Sequence, residues 1–133
     1  MRLIEVYNTN NVTVDQGNDI PLGNVVRNYY FDNCIGEVNN SSVVINKCGF
    51  YEVTYRATFT APVAGETSFA LAANGIIIPQ GVTSTTAAIN TTYTEEFTTI
   101  IRILPCQNVS ITIVNNGVSV NLSESDLIIK KLN

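Results

Sequence analysis

Histidine and tryptophan are absent from the 133 residues, methionine occurs once, and only 14% of positions are charged. Without histidine there is no Ser-His-Asp or Cys-His catalysis, and the commonest general base and the usual zinc and haem ligand are missing. The three cysteines, Cys34, Cys48 and Cys106, form no CxxC pair and fall short of the four ligands of a structural zinc site. They read as free thiols, or as a Cys34–Cys48 disulfide across an Asn/Ser-rich turn with Cys106 left over. Positive charge is also scarce. Seven Lys and Arg stand against eleven Asp and Glu, for a net charge of -4. That excludes a basic nucleic-acid face and predicts no membrane insertion, because no apolar run approaches the roughly 20 residues of a bilayer span. Composition therefore predicts a non-enzymatic protein without cofactors.

What is abundant is β-branched and turn-forming: 15 Val, 15 Ile, 15 Thr and 17 Asn. Such side chains suit a pleated, half-buried surface, and Asn tolerates the turns between strands. The length fits one domain over residues 1–133, all-β, with eight to ten antiparallel strands in a sandwich. Residues 1–6 read as a first strand rather than a signal peptide, which needs 7 to 15 apolar residues and a small-residue cleavage site. The reading implies synthesis in the cytoplasm without a signal peptide.

In residues 50–60 the alternation is strict. Tyr51, Val53, Tyr55, Ala57 and Phe59 share one face, and Glu52, Thr54, Arg56 and Thr58 share the other. Asn74-Gly75 between apolar runs is the strongest hairpin signal in the chain. Residues 83–90 are small and polar and read as a loop. Residues 92–104 resume the alternation, and Asn115-Asn116-Gly117 turns into the last strands. Three runs, 76–78, 100–104 and 127–129, are apolar at consecutive positions, so both faces need cover, either between subunits or from loops of the same chain.

The segment Lys47-Cys48-Gly49-Phe50-Tyr51-Glu52-Val53-Thr54-Tyr55 resembles the G-x-Y-x-V-x-Y strand of the trimeric jelly rolls that include tumour necrosis factor and the complement globular head. Residues 69–75 resemble that superfamily's N-G hairpin, and residues 126–130 its last central strand. Residues 3–9 and 17–23, with Pro105 and Cys106 before a Val109-to-Asn115 strand, are similar to the stand-alone bacterial and phage versions. The resemblance implies a jelly-roll β-sandwich that forms a homotrimer. Its function would be that of a structural or adhesive module of a phage virion or a bacterial or spore surface, decorating a particle or touching a host-surface protein or glycan. Alternatives are a glycan-binding receptor tip and a secreted ligand of the tumour-necrosis-factor type.

On this reading the expected trimer interface contains Tyr55, Phe97, Ile101 and Ile128. Recognition falls to Asn33, Asn39, Asn40, Thr85, Thr86, Asn90 and Asn116 in polar loops, and residues 1–22 serve assembly or attachment. Calcium is the one cofactor with candidate ligands, at Asp15 and Asp19, Glu95 and Glu96, and Glu124 and Asp126. None has the spacing of a recognised calcium loop, and solvated surface charge is the plainer reading.

Overall fold

The computed structural model describes residues 2–32 and 34–133, and every regular element among them is a strand. In chain order these are β1 (Arg2–Asn8), β2 (Val12–Val14), β3 (Asn24–Tyr29), β4 (Ile35–Val38), β5 (Val43–Ile45), β6 (Gly49–Thr60), β7 (Gly65–Thr67), β8 (Phe69–Ala73), β9 (Ile76–Val82), β10 (Thr85–Ala87), β11 (Thr92–Ile103), β12 (Val109–Asn115) and β13 (Val120–Lys131). The count exceeds the expected eight to ten because four of the strands, β2, β5, β7 and β10, have three residues each. Such pieces carry no periodicity of their own; β10 exists through its pairing with β7, Thr85 opposite Thr67.

One sheet runs β11-β6-β13-β1-β3, with β2 added on β13, and the other runs β4-β5-β12-β8-β9. All the pairings are antiparallel. The result is a jelly-roll sandwich. Its core is the inward half of the alternation: Tyr51, Val53, Tyr55, Ala57 and Phe59 are all fully buried, as are Ile111, Ile113, Phe69 and Leu71 from the facing sheet. Aromatic rings tie the layers together. Phe59 and Phe69 lie 5.2 Å apart between centroids, and Tyr55 lies 6.0 Å from both Phe69 and Phe97. Each such pair adds about 0.5–1.5 kcal/mol beyond area burial.

The hairpin expected at Asn74-Gly75 is present, with φ of 51° and 81° at the two residues, the left-handed geometry of the tight turn that joins β8 to β9. Residues 2–22 are built into the sandwich. β1 lies inside the larger sheet between β13 and β3, and Ile4, Val6, Val14, Ile20 and Leu22 are core residues. The register defines two poles. At the terminal pole Arg2 pairs with Lys131 and Gly49 with Ile103; at the distal pole Thr60 pairs with Thr92 and with Asn121.

Candidate functional site

With the inward face committed to the core, the surface open to a partner is the outward face of the larger sheet together with the two flanks. Register places its side chains in rows across β3, β1, β13, β6 and β11. One row is Tyr29, Leu3, Lys130, Glu52 and Ile100, and the next is Arg27, Glu5, Ile128, Thr54 and Thr98. A third is Asn24, Tyr7, Asp126, Arg56 and Glu96. Hydroxyl pairs stitch β6 to β11 across this face, Thr54 with Thr98 and Thr58 with Thr94, each at 3.1 Å.

Charge on the face is paired but uneven. Arg56 lies 2.9 Å from Glu124 and 3.9 Å from Asp126, Arg27 lies 3.5 Å from Glu5, and Lys130 lies 3.6 Å from Glu52. Asp126 Oδ1 is buried without a donor among the described residues. Burial first, then the Glu5 carboxyl and more weakly Glu124, push the Asp126 carboxyl up to about 7 despite an opposing pull from Arg56.

The flanks are apolar and unlike one another. On one, the edge strand β3 exposes Val25, Val26 and Tyr29, and Tyr30 follows at 73% exposure with φ of 53°. On the other, where edge strand β9 meets edge strand β11, Ile76 and Ile77 of β9 and Ile100 of β11 are exposed, Ile76 at 73% and Ile100 at 58%. Ile76, Ile77 and Ile100 belong to two of the three runs that the sequence marked as apolar on both faces; the third, 127–129, lies in β13 inside the larger sheet, and the apolar residues of β3 belong to none of them.

Tyr55, Phe97 and Ile101, expected at a subunit interface, instead belong to the internal core; Tyr55 has no exposed surface. A period of two puts residues on a common face without saying which face is internal, and the aromatic packing of Tyr55 decides it. Its hydroxyl bonds to Ser125 Oγ at 3.0 Å inside the core, and burial raises its pKa. Ile128 does lie on the outward face.

The loop residues divide between places. Thr85 and Thr86 sit in β10, not in a loop, and share the distal pole with Asn116, whose N–H donates to the Ser68 carbonyl, and with Asn90, whose N–H donates to the Ala61 carbonyl. Asn39 and Asn40 line a cleft of about 240 Å³ with Gly23, Asn24, Val25 and Val38 on the β3 flank. The Asn39 side-chain oxygen is occupied within its own turn by the Ser41 and Ser42 amides. Asn33 lies outside the described residues.

Cys34 is buried, Cys48 and Cys106 are exposed, and all three are free thiols. Three of the six candidate calcium carboxylates have other engagements. Asp15 accepts a hydrogen bond from Ser119, Glu124 holds Arg56, and Glu95 points into the sandwich and accepts one from Thr67. Among the described residues, no three acidic or thiol side chains come together as a metal-binding group.

No family model and no curated protein matches the sequence. The fold has matches among solved structures. The globular domain of zebrafish complement 1qA protein superposes with a TM-score of 0.74 at 6% identity, covering 100% of this chain and 98% of that one. The Eiger TNF of S. frugiperda gives 0.71 at 11%, covering 100% and 94%. PRD1 vertex protein P5 gives 0.65 at 12%, covering 99% and 97%. This chain therefore has the jelly-roll fold shared by tumour necrosis factor and the complement globular head.

Proposed function

We propose that the chain is a non-enzymatic structural or adhesive module that self-associates as a homotrimer on a virion or bacterial surface, where it decorates the particle or contacts a host surface. The observation that carries the reading is the pair of unlike apolar flanks, Val25, Val26, Tyr29 and Tyr30 on one side and Ile76, Ile77 and Ile100 on the other. A surface that is not self-complementary but complements a second patch elsewhere on the same molecule makes head-to-tail contacts, and these close into a ring when the rotation allows. Burying such side chains contributes about 1.5–3 kcal/mol each. The outward sheet face between the flanks, mostly polar with Leu3, Tyr7 and Ile128 among internally paired charges, suits the wall of such a ring. The similarity to a vertex protein supports placement on a particle.

Light scattering tests the reading. The wild-type chain is expected at three times 14.5 kDa. Ile100→Glu disables one flank and Tyr29→Glu the other, so each variant alone is expected as a monomer. An equimolar mixture of the two retains one intact flank pair and is expected to give a dimer of unlike chains. A wild-type monomer, or a mixture that stays monomeric, overturns the proposal.

A further inference from the structure

At the terminal pole Arg2, Lys47, Lys131, Leu132 and Asn133 line a pocket of about 370 Å³. The protein is acidic overall, with seven cationic side chains. Arg27, Arg56 and Lys130 are engaged in ion pairs on the sheet face. Of the four that make none among the described residues, three are in this pocket, and no Asp or Glu side chain lines it. Three cations in one concavity, set against the main-chain carboxylate of Asn133 alone, run against the charge of the molecule as a whole, and a concave, low-dielectric wall strengthens their field.

The pocket is held in shape by the fold. The Tyr51 hydroxyl donates to the Lys47 carbonyl at 2.7 Å, fixing the loop that carries Lys47, and the Tyr51 ring lies 5.8 Å beneath Lys131 Nζ. Arg2 donates to the buried Cys34 sulfur at 3.6 Å. The Phe50 N–H donates to Asn133 Oδ1 at 3.0 Å, which leaves the Nδ2 end of that amide as a donor. Gly49 adjoins two of the lining residues: a Cβ there would meet Lys131 Nζ at 2.8 Å and Asn133 Oδ1 at 3.0 Å, so a larger residue would displace both side chains. Leu132 adds an exposed apolar rim.

Converging guanidinium and ammonium donors with an amide are the chemistry of oxyanion recognition, and charge-assisted bonds of this kind are the strong ones. A volume of about 370 Å³ exceeds what a bare oxyanion fills and lies within the range of small-molecule sites. We propose that this pocket binds an oxyanion group, phosphate, sulfate or carboxylate, carried on a sugar-sized molecule.

Calorimetric titration of the full chain at low ionic strength, with glucose 6-phosphate, glucuronic acid, inorganic phosphate and glucose as probes, tests this. Both charged sugars are expected to bind, more weakly as salt is added, and glucose is not. Lys47 is exposed, so Lys47→Glu retains the fold, checked by circular dichroism, and is expected to weaken both charged sugars by about tenfold or more. Arg102→Glu removes the unpaired cation outside the pocket and is expected to leave binding unchanged. Absence of binding by both charged sugars, or equal losses in the two variants, overturns the site. Inorganic phosphate binding as tightly as glucose 6-phosphate overturns the sugar-sized carrier.

Discussion

A single side chain sets the clearest chemical expectation. Asp126 sits on the outward sheet face with Glu5, Glu124, Tyr7 and Arg56 around it, and its carboxyl is pushed up to about 7. In the unfolded chain the same group ionises near its ordinary value of 3.8. Between these values the folded chain binds more protons than the unfolded one, so stability falls as pH rises through that window and levels off above it. Asp126→Asn cannot ionise and is expected to lack this loss: unfolding in urea should show a flatter pH profile between 5 and 8 and equal or greater stability than wild type at pH 8. Parallel profiles would mean that Asp126 titrates alike in the folded and unfolded chain. Nothing in the sequence announced this. Glu5 and Asp126 are 121 positions apart and become neighbours only through the β1–β13 register, in which Glu5 faces Ile128 and Tyr7 faces Asp126. The same blindness placed Tyr55 at an interface, whereas its burial against Phe69 is a tertiary fact.

Strands and turns were more legible, because their signals are local. The alternation of residues 50–60 became β6, and the glycine of Asn74-Gly75 took the positive φ that the turn demands. Pieces held by distant partners were not legible, as with β7 and β10, three residues each. Two glycines with nearly the same φ separate conformation from space. Gly75 has φ of 81° with nothing within 4 Å of the position a Cβ would take, so Gly75→Ala costs only backbone strain, about 1 kcal/mol. Gly23 has φ of 87°, and a Cβ there would run into the Tyr7 carbonyl and lie 2.7 Å from Asn8 Cβ, pressing β1 away from the bend that precedes β3. Gly23→Ala is expected to cost at least twice as much as Gly75→Ala in denaturant midpoint, with a comparable m-value for both. Equal losses would mean that the bend yields without disturbing β1.

For the molecule as a whole, the sandwich class followed from composition and alternation, while the topology depended on pairings between remote segments. β1 and β13 are at opposite ends of the chain yet adjacent in the central sheet, with Arg2 opposite Lys131. Closing that pairing requires ordering nearly the whole intervening chain, and folds dominated by such non-local contacts fold on the millisecond-to-second scale. The β8–β9 pairing is its opposite, a local hairpin whose second strand is a largely exposed edge. A circular permutant that joins residue 131 to residue 2 through a short Gly/Ser linker and opens the chain between Asn74 and Gly75 exchanges the two: the central pairing becomes local, and the peripheral one becomes long-range. Asn74 keeps its anchor in this permutant, since its Oδ1 accepts from the Ser110 amide and its own N–H donates to the Ser110 carbonyl. The permutant is therefore expected to fold to the same sandwich, with near-ultraviolet circular dichroism unchanged, and to refold faster than wild type in stopped-flow fluorescence because the central sheet no longer waits on closure of the longest loop. Slower refolding would place the β8–β9 hairpin, rather than the β1–β13 pairing, at the rate-limiting step.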